Sequence, residues 1–267
     1  MLPLSFVRSL LIRCARFDIP ASRIPSLSPT AMTLFTDLGF KWDRAAILRD
    51  IPTHSIRRVC FRFHRMLPEF VWDASALEGN PFMFTEVKTL LDGVAVGGRR
   101  ISDQNQVLNL IETSKYLLAI VQNGRFALDK ATYCALHGPI ARQAVHERGV
   151  FQEEGKTRYA PLPTLPGAPE LNRLFAAGTR ALTDQVSNAF ERGCAFFLFG
   201  ALQQFFFDGN KRTSRFMMNG VLMANGIDAI SVPAQRAADF NEKMVRFYLS
   251  KDGTEMMAFL LECHPGE

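Results

Sequence analysis

Apolar residues recur every three or four positions along most of this chain, the spacing that places them on one face of an α-helix. The first such stretch is 55–72. Its apolar face carries Ile56, Val59, Cys60, Phe63 and Met66. Because a face of this kind is buried against other helices in a globular protein, we expect these residues to lie in the core. The pattern predicts a mainly α protein.

Turn and capping residues bound the next helix. Asp103 is expected to be its N-cap, with Gln106 three residues later at the spacing of a capping box. Asn123 and Gly124 form a C-terminal signal, because glycine adopts the left-handed conformation that ends many helices. We therefore predict that this helix ends at Asn123.

Five more helical patterns follow along the chain. The first of them contains His137, which we interpret as a helix-surface or core residue rather than as a catalytic base. The second is apolar around its whole circumference, so we expect it to be buried on all sides. In chain order, the five helices are expected to begin near Asp129, Ser187, Lys211, Pro233 and Gly253.

One stretch, 148–169, does not fit a helix. It contains four prolines, and short extended pieces flank the sequence EEG, which has the composition of a hairpin tip. We therefore predict a mainly α fold, a bundle of helices with one short β-hairpin.

The first 31 residues differ from the rest. Residues 1–31 contain arginine, serine and proline, and two arginines interrupt the apolar run that a secretory signal needs. They are either an amphipathic targeting peptide or a disordered or artefactual extension before a translation start at Met32, and we favour the extension. Beyond it we expect an N-terminal helical region at 32–80 and a core domain at 81–267.

Charge and cysteine usage exclude several kinds of protein. The net charge is +5, of which the leader, with four arginines against one aspartate, contributes +3 and leaves +2 for the rest. This is too little for a nucleic-acid-binding footprint. No apolar run reaches the roughly 18 residues that cross a membrane. Five scattered cysteines without a CxxC pair are typical of a reducing compartment, so we expect a cytoplasmic location.

A loop rich in charge follows three consecutive phenylalanines. Gly209 permits a sharp turn, and the N–H groups that open the next helix attract anions. Arg212 and Arg215 share a helical face, where they could grip successive phosphates. Asp208 beside them is placed to hold Mg²⁺. The loop predicts a site for a Mg-bound polyphosphate, although its composition also suits an ordinary solvated turn.

The sequence QFFFDGNKRTSR, from Gln204 to Arg215, resembles the motif HxFx(D/E)GN(G/K)RxxR of the Fic/Doc family. Six motif residues match without a gap, and the flanking sequences 136–163 and 215–233 also resemble this family. The resemblance covers about 55–263. It implies the α-helical Fic fold with a β-hairpin flap.

Members of that family bind Mg-ATP and transfer its AMP moiety to a Ser, Thr or Tyr hydroxyl of a target protein. The resemblance implies that Asp208 holds the metal. It implies that Gly209 and Asn210 bind the phosphates through their amides and the Asn210 side chain. Arg212 would also bind the phosphates, and Arg215 the γ-phosphate.

The flap is expected to bind the target. In the family this hairpin clamps a target segment by main-chain pairing, which here would involve Lys156, Thr157, Arg158 and Tyr159. Such pairing needs little side-chain specificity, so the target protein cannot be read from the sequence. Helical Fic proteins often pair, so the resemblance also allows a homodimer.

Two residues depart from the form of the motif found in most AMP-transferring members. Gln204 replaces the catalytic histidine, and a carboxamide cannot act as a general base near neutral pH. It can still orient a hydroxyl by a hydrogen bond. Lys211 replaces a glycine found in most AMP-transferring members and is shared with the Doc-type branch, which phosphorylates its target. Lys211 would add a cation near a phosphate.

A second motif precedes the core. The sequence LEGN at 77–80 resembles the inhibitory element (S/T)xxxE(G/N) of Fic proteins, in which Glu78 would pair with Arg215 and fill the γ-phosphate position. The family's Ser or Thr is Ala74 here, with Ser75 one place late. Glu78 is otherwise explained as a solvated carboxylate at a helix end.

Three functions remain open at this point. The leading hypothesis is an AMP transferase that is autoinhibited by Glu78 and weakened by loss of the histidine. A second is a catalytically inactive protein that keeps the Mg-nucleotide pocket as a binding or regulatory module. A third is a Doc-type phosphotransferase. The sequence leaves open whether ATP or another nucleotide is bound.

Overall fold

The computed structural model describes residues 34, 36–47, 50–142, 149–152 and 167–266. In this part of the chain ten α-helices and one 3₁₀ turn (Ala234–Arg236) are present, which confirms the predicted mainly α fold. The helices are α1 (Ile56–Arg65), α2 (Leu67–Ala76), α3 (Phe84–Leu91), α4 (Ile101–Gln122), α5 (Lys130–Ile140), α6 (Ala168–Gln185), α7 (Ala189–Gln203), α8 (Asn210–Ala224), α9 (Ala237–Ser250) and α10 (Thr254–Glu262). The predicted hairpin lies largely outside the described residues. No helix among those described is long and apolar enough to cross a membrane.

The stretch 55–72 forms two separate helices, so its apolar residues do not share one continuous helical face. α1 ends at Arg65, and Met66 separates it from α2, whose first turn contains Pro68. Proline has no N–H to donate to the preceding turn, so it is tolerated only where a new helix begins. Met66 lies at this break and is 40% exposed, and Ile56, at the first position of α1, is 39% exposed. The prediction that both lie in the core is wrong, whereas the other three residues of that face are buried.

α4 begins earlier than its capping residue predicted. Its N-cap is Arg100, and Asp103 lies inside the first turn, where its negative charge favours the positive end of the helix dipole. The predicted capping box between Asp103 and Gln106 is therefore wrong. The predicted C-terminal end is confirmed, because Asn123 is the C-cap and Gly124 has a left-handed φ of 63°.

The other predicted helices are present with small changes of boundary. Asp129 caps α5 by accepting a hydrogen bond of 2.8 Å from the N–H of Thr132. Asn188 caps α7, one residue after the predicted start. Two further helices, α3 and α6, had not been assigned from the sequence.

α7 and α8 form the centre of the bundle and pack closely. A Cβ added to Gly200 of α7 would lie 2.1 Å from Ser214 Oγ of α8 and 2.7 Å from the hydroxyl of Tyr133. Only glycine permits this approach, because a Cβ would clash with both groups. The two helices are joined by the short loop 204–209, so their packing fixes that loop in the middle of the protein.

The segment 36–47 is held against this centre by one buried carboxylate. Glu191, in the first turn of α7, accepts hydrogen bonds from Arg44 Nε at 2.7 Å and Nη2 at 2.8 Å. Trp42 Nε1 donates a third, at 2.8 Å. The side chain of Glu191 is 1% exposed, whereas that of Arg44 is 43% exposed. The carboxylate therefore depends on this segment for its charge compensation.

Replacing Arg44 with alanine is expected to destabilise the protein by about 3 kcal/mol, because the charge of Glu191 would stay buried without its ion-pair partner. Urea unfolding measures the effect. Arg246→Ala is the matched control, since Arg246 pairs with Glu242 at the exposed surface, where such pairs contribute less than about 1 kcal/mol. If the two changes lowered the free energy of unfolding equally, the ion pair of Arg44 with Glu191 would contribute no more to stability than an exposed pair.

Candidate anion-binding site

The loop between α7 and α8 is bounded by two residues in the left-handed conformation. Gln204, which ends α7, has φ 53° and ψ 55°, and Gly209, which precedes α8, has φ 77°. A Cβ on Gly209 would also lie 3.1 Å from Ile140 Cγ2. Glycine adopts this conformation without strain, whereas glutamine does so less often. The loop is therefore a tight, fixed turn.

Two arginines of α8 meet the carboxylate of Glu78, which lies in the turn just after α2. Arg215 Nη2 lies 3.3 Å from Glu78 Oε1, and Arg212 Nε lies 3.9 Å from Glu78 Oε2. Both arginine side chains are only 9% exposed, and that of Glu78 is 17% exposed. Glu78 and Arg215 are 137 positions apart in the sequence. The fold thus brings the two motifs of the sequence into one site.

Electrostatics favour an anion at this position. Burial raises the pKa of Glu78, but the positive charges of Lys211, Arg212 and Arg215 outweigh it and hold that pKa below its usual value. The carboxylate is therefore ionised at neutral pH. The first turn of α8 adds the positive end of its dipole and unpaired N–H groups. A negative group bound here is stabilised by three cations and a helix N-terminus.

Arg215 has a second acidic neighbour, Asp73 of α2. Asp73 accepts a hydrogen bond of 2.8 Å from Ser231 Oγ and another of 2.8 Å from the N–H of Ala234. Burial and the charge of Arg212 lower the pKa of Arg215, while Glu78 and Asp73 oppose that shift. Asp73 thus fastens α2 to the segment after α8 and contributes negative charge beside Arg215.

Ala74, where the resemblance would place a Ser or Thr, has apolar surroundings in the structure. Ala74 lines a small cleft between α2 and α8, together with Leu77 and the two arginines of the site. Ser75 does not replace the missing hydroxyl, because its Oγ donates to the Trp72 carbonyl within α2 at 2.8 Å. Glu78 is therefore held without help from a hydroxyl at position 74.

Asp208 lies at the open side of the loop. Its side chain is 53% exposed, and its Oδ2 accepts a hydrogen bond of 2.9 Å from Arg212 Nη2. Among the described residues no group of three or more His, Cys, Asp or Glu side chains could hold a metal. A Mg²⁺ ion fits Asp208 only as one protein carboxylate supplemented by phosphate oxygens and water, a ligand set that this ion commonly adopts.

The side chain of Asn210 holds the loop instead of facing the site. Its Oδ1 accepts from the N–H of Phe206 at 2.8 Å, and its Nδ2 donates to the Phe206 carbonyl at 2.7 Å and to Gln204 Oε1 at 3.1 Å. Asn210 is 3% exposed. The structure therefore does not place this side chain where a phosphate would bind, and leaves that role to its backbone N–H.

Gln204, which the resemblance aligns with the motif histidine, uses both of its polar atoms within the protein. Its Nε2 donates to the Ala201 carbonyl at 2.5 Å, and its Oε1 accepts from Asn210. These bonds tie the end of α7 to the first residue of α8. Each atom keeps one further hydrogen-bonding site, because a carboxamide has two N–H donors and two oxygen lone pairs.

His137, which is fully buried as the core alternative expected, and Gln152, which the sequence did not single out, fix this loop from the other side. His137 stacks on Phe206 with ring centroids 3.7 Å apart, donates from Nε2 to the Asp208 carbonyl at 3.0 Å, and accepts at Nδ1 from the Gly149 N–H at 2.9 Å. Gln152 Nε2 donates to the carbonyls of Gln204 and Phe206. A lone histidine and a lone glutamine carry no motif that could have predicted these contacts.

Stability should fall in acid because of His137. Burial, together with the positive charge of Arg212, outweighs the opposing effects of the Asp208 carbonyl and carboxylate and lowers the pKa of His137 from 6.5 to about 4. The neutral ring therefore stabilises the fold fully above pH 6.5, and this contribution is lost as the pH falls from 6.5 to about 4. The expected loss is about 3 kcal/mol.

Urea unfolding at pH 7 and pH 4.5 tests this in the natural protein and in His137→Asn, whose amide does not titrate. The natural protein is expected to lose about 2 kcal/mol more than the variant between the two pH values. Equal losses would mean that His137 does not titrate as a buried group.

The expected target-binding residues Lys156, Thr157, Arg158 and Tyr159 lie outside the described residues. Their role stays a prediction.

No protein-family model matches this chain. The chain is similar to the protein adenylyltransferase Fic of Drosophila grimshawi, with 25% identity over 182 residues that cover 64% of this chain and 36% of the relative. The corresponding protein of Drosophila mojavensis is 23% identical over 180 residues. The chain thus spans about a third of the length of the curated relatives it matches.

Solved structures share the architecture. Fic-1 from C. elegans superposes with a TM-score of 0.63 at 17% identity, covering 98% of this chain and 70% of that chain. A Fic family protein from Desulfovibrio desulfuricans G20 gives a TM-score of 0.62 at 21% identity, covering 90% of this chain and 73% of that chain. At these identities the likeness establishes a common fold.

Proposed function

This chain has the Fic fold and is a Fic-domain protein, and on that premise we propose that it binds Mg-ATP and transfers AMP to a Ser, Thr or Tyr hydroxyl of a target protein. The proposal includes autoinhibition by Glu78 and slow catalysis, because Gln204 stands at the position of the base.

The observation that carries the proposal is the binding of Glu78 by two buried arginines. The carboxylate of Glu78 lies against Arg212 and Arg215 at the N-terminus of α8, so a negatively charged group already occupies the site. Guanidinium groups bind carboxylates and phosphates with the same geometry. A site that stabilises this carboxylate is therefore suited to a phosphate of a nucleotide when Glu78 moves away.

Five residues of the site have proposed roles in binding. Arg215 binds the γ-phosphate, and Arg212 binds the phosphates nearer the sugar. The N–H groups of Gly209 and Asn210 cradle the phosphates at the start of α8. Asp208 binds Mg²⁺, which neutralises phosphate charge when it is present.

The proposed transfer exchanges one P–O bond for another. The target hydroxyl oxygen bonds to the α-phosphorus of ATP, and the bond from that phosphorus to the oxygen leading to the β-phosphorus breaks. Pyrophosphate leaves with the electron pair of that bond. The hydroxyl proton passes to water, because Gln204 cannot take it. Gln204 orients the hydroxyl through the second lone pair of its Oε1. Loss of a positioned base slows such a step by about 10²- to 10⁴-fold.

Autoinhibition follows from the place that Glu78 occupies. A carboxylate between Arg212 and Arg215 takes the position proposed for the γ-phosphate, so productive ATP binding requires that Glu78 leave. A hydrogen bond to a charged group is worth about 1.5–3 kcal/mol, which corresponds to a loss of ATP affinity of about tens-fold.

A nucleotide-binding module without catalysis is the second candidate. It is favoured by the hydrogen bonds of Gln204, which connect α7 to α8 and leave its side chain in a structural role. A Doc-type phosphotransferase is the third, and Lys211 is the residue that favours it. A cytoplasmic location and a homodimer stay predictions from the sequence.

Labelled ATP tests these functions directly. Glu78→Gly protein is incubated with Mg²⁺ and with ATP labelled at either the α- or the γ-phosphate, and incorporation is followed into the protein itself and into a cell lysate. We expect α-label to be incorporated, and to be lost in protein that also carries Arg212→Ala. Incorporation of γ-label alone would favour phosphotransfer. ATP binding without incorporation of either label would favour the binding module.

A further inference from the structure

The outer face of α1 carries an exposed stripe of basic side chains around one aromatic ring. The exposed residues Arg57, Arg58, Phe61, His64 and Arg65 are spaced so that they follow one another along a single face of the helix. Phe61, in the middle of this basic stripe, is 62% exposed. The opposite face of α1 packs into the core. The basic stripe is therefore not needed to bury α1.

The charges of the basic stripe are not compensated. α1 contains no acidic residue, and in the described part of the chain no ion pair or hydrogen bond joins the guanidinium groups of Arg57, Arg58 and Arg65 to a carboxylate. Arg62, which lies beside the basic stripe on α1, does pair with Asp228, at 2.6 Å. Like charges on neighbouring turns of a helix destabilise it. An acidic partner would remove that repulsion.

Other surface arginines of this protein do have acidic partners. Arg142 pairs with Glu112, Arg173 with Glu170, and Arg246 with Glu242. A solvated protein surface is commonly arranged in this way, with both signs of charge mixed. The basic stripe departs from that arrangement in charge and by exposing a large aromatic ring.

The size of the basic stripe suits a short segment. From Arg57 to Arg65 the helix rises by about 12 Å, which equals the length of roughly four extended residues. Carboxylates on such a segment can pair with the arginines on either side of Phe61, while an apolar side chain between them contacts the ring.

Protein is the class of partner that these features fit. The chain apart from its leader has a net charge of only +2, too little for a nucleic-acid footprint. A membrane surface would need a larger apolar face than one phenylalanine provides. Carboxylates flanking an apolar residue match both the charge and the ring.

We propose that the basic stripe of α1 is a docking site for an acidic segment of a partner protein, with carboxylates on both sides of an apolar residue. Docking is independent of catalysis, so it is measured in the full chain without ATP. A failure of this proposal would therefore leave the proposed transfer of AMP unaffected, and the reverse also holds.

The probe is a fluorescein-labelled peptide with one leucine flanked on both sides by glutamates, and its binding is followed by fluorescence anisotropy at low and high salt. The test variant carries Arg57→Gln, Arg58→Gln and Arg65→Gln. The control variant loses the same charge through Arg173→Gln, Arg180→Gln and Arg246→Gln. Thermal unfolding verifies that both variants fold, as expected for exposed positions.

The natural protein and the control variant are expected to bind the peptide equally, with weaker binding at high salt. The test variant is expected to bind it about tenfold to a hundredfold more weakly, from the loss of three exposed charge contacts. A peptide with serines in place of the glutamates should not bind.

Four results would overturn the proposal. They are absence of peptide binding to the natural protein, equal binding by the test variant, stronger binding of a single-stranded oligonucleotide or of anionic vesicles at the basic stripe, and a homodimer that the test variant disrupts. The last would mean that a second copy of the chain covers this face.

Discussion

Gln204→His, introduced into protein that already carries Glu78→Gly, is expected to raise the rate of AMP transfer by about 10²- to 10⁴-fold. The histidine would supply a general base with a pKa near neutrality at the position of the motif base. The left-handed backbone at 204 accepts histidine better than it accepts most side chains. Single-turnover incorporation of α-labelled AMP into the protein measures the change.

The neighbouring glutamine provides the control. Gln203 is oriented away from the loop, since its Nε2 donates to the Leu38 carbonyl at 2.9 Å. Gln203→His in the same background is therefore expected to leave the transfer rate unchanged. If Gln204→His gives no gain while ATP still binds, the site lacks more than a base, and the interpretation as a nucleotide-binding module is favoured.

Glu78→Gly alone is expected to strengthen ATP binding by about tens-fold, because it removes the carboxylate that occupies the pocket of Arg212 and Arg215. Isothermal titration of the natural protein and the variant with Mg-ATP measures the difference. Glu78→Gln should give a smaller gain, since the amide keeps the volume of the side chain but loses its charge.

Glu86 offers a matched control for the loss of an acidic residue. Its carboxylate pairs with Arg99 at 2.6 Å between α3 and the segment before α4, away from the loop. Glu86→Gln should leave ATP affinity as it is in the natural protein. ATP affinities that are equal in the natural protein and in Glu78→Gly would show that Glu78 does not compete with the nucleotide.

The sequence predicts much of this fold, because periodic apolar residues and capping residues such as Asp129 indicate where helices lie. Where prediction failed, a local signal was overridden by another. The apolar face that included Met66 was interrupted by Pro68, and Asp103 had the side chain of an N-cap but lay within the first turn. No local signal predicted the attachment of the segment 36–47 to Glu191. The two donors, Trp42 and Arg44, are about 150 residues away from Glu191 in the sequence.

The spacing of residues within two motifs predicted which residues form the candidate site. It did not predict how each side chain is oriented there. The motifs placed Glu78 beside Arg215, and the structure has them in contact. They did not indicate that Asn210 turns inward to hold Phe206, because the same residue type serves either purpose. The contacts of His137 depend on the packing of α5 against the loop, which no short stretch of sequence encodes.

Asp73 has a consequence for how the site opens. When Glu78 leaves, Arg215 would be a buried cation without a counter-ion, a state that costs several kcal/mol in most proteins. Asp73 stays beside it, held by Ser231 and Ala234 rather than by the arginine itself. One negative charge therefore remains near Arg215 in both states. Asp73 therefore lowers the cost of leaving Arg215 without Glu78 while the site exchanges its own carboxylate for a ligand.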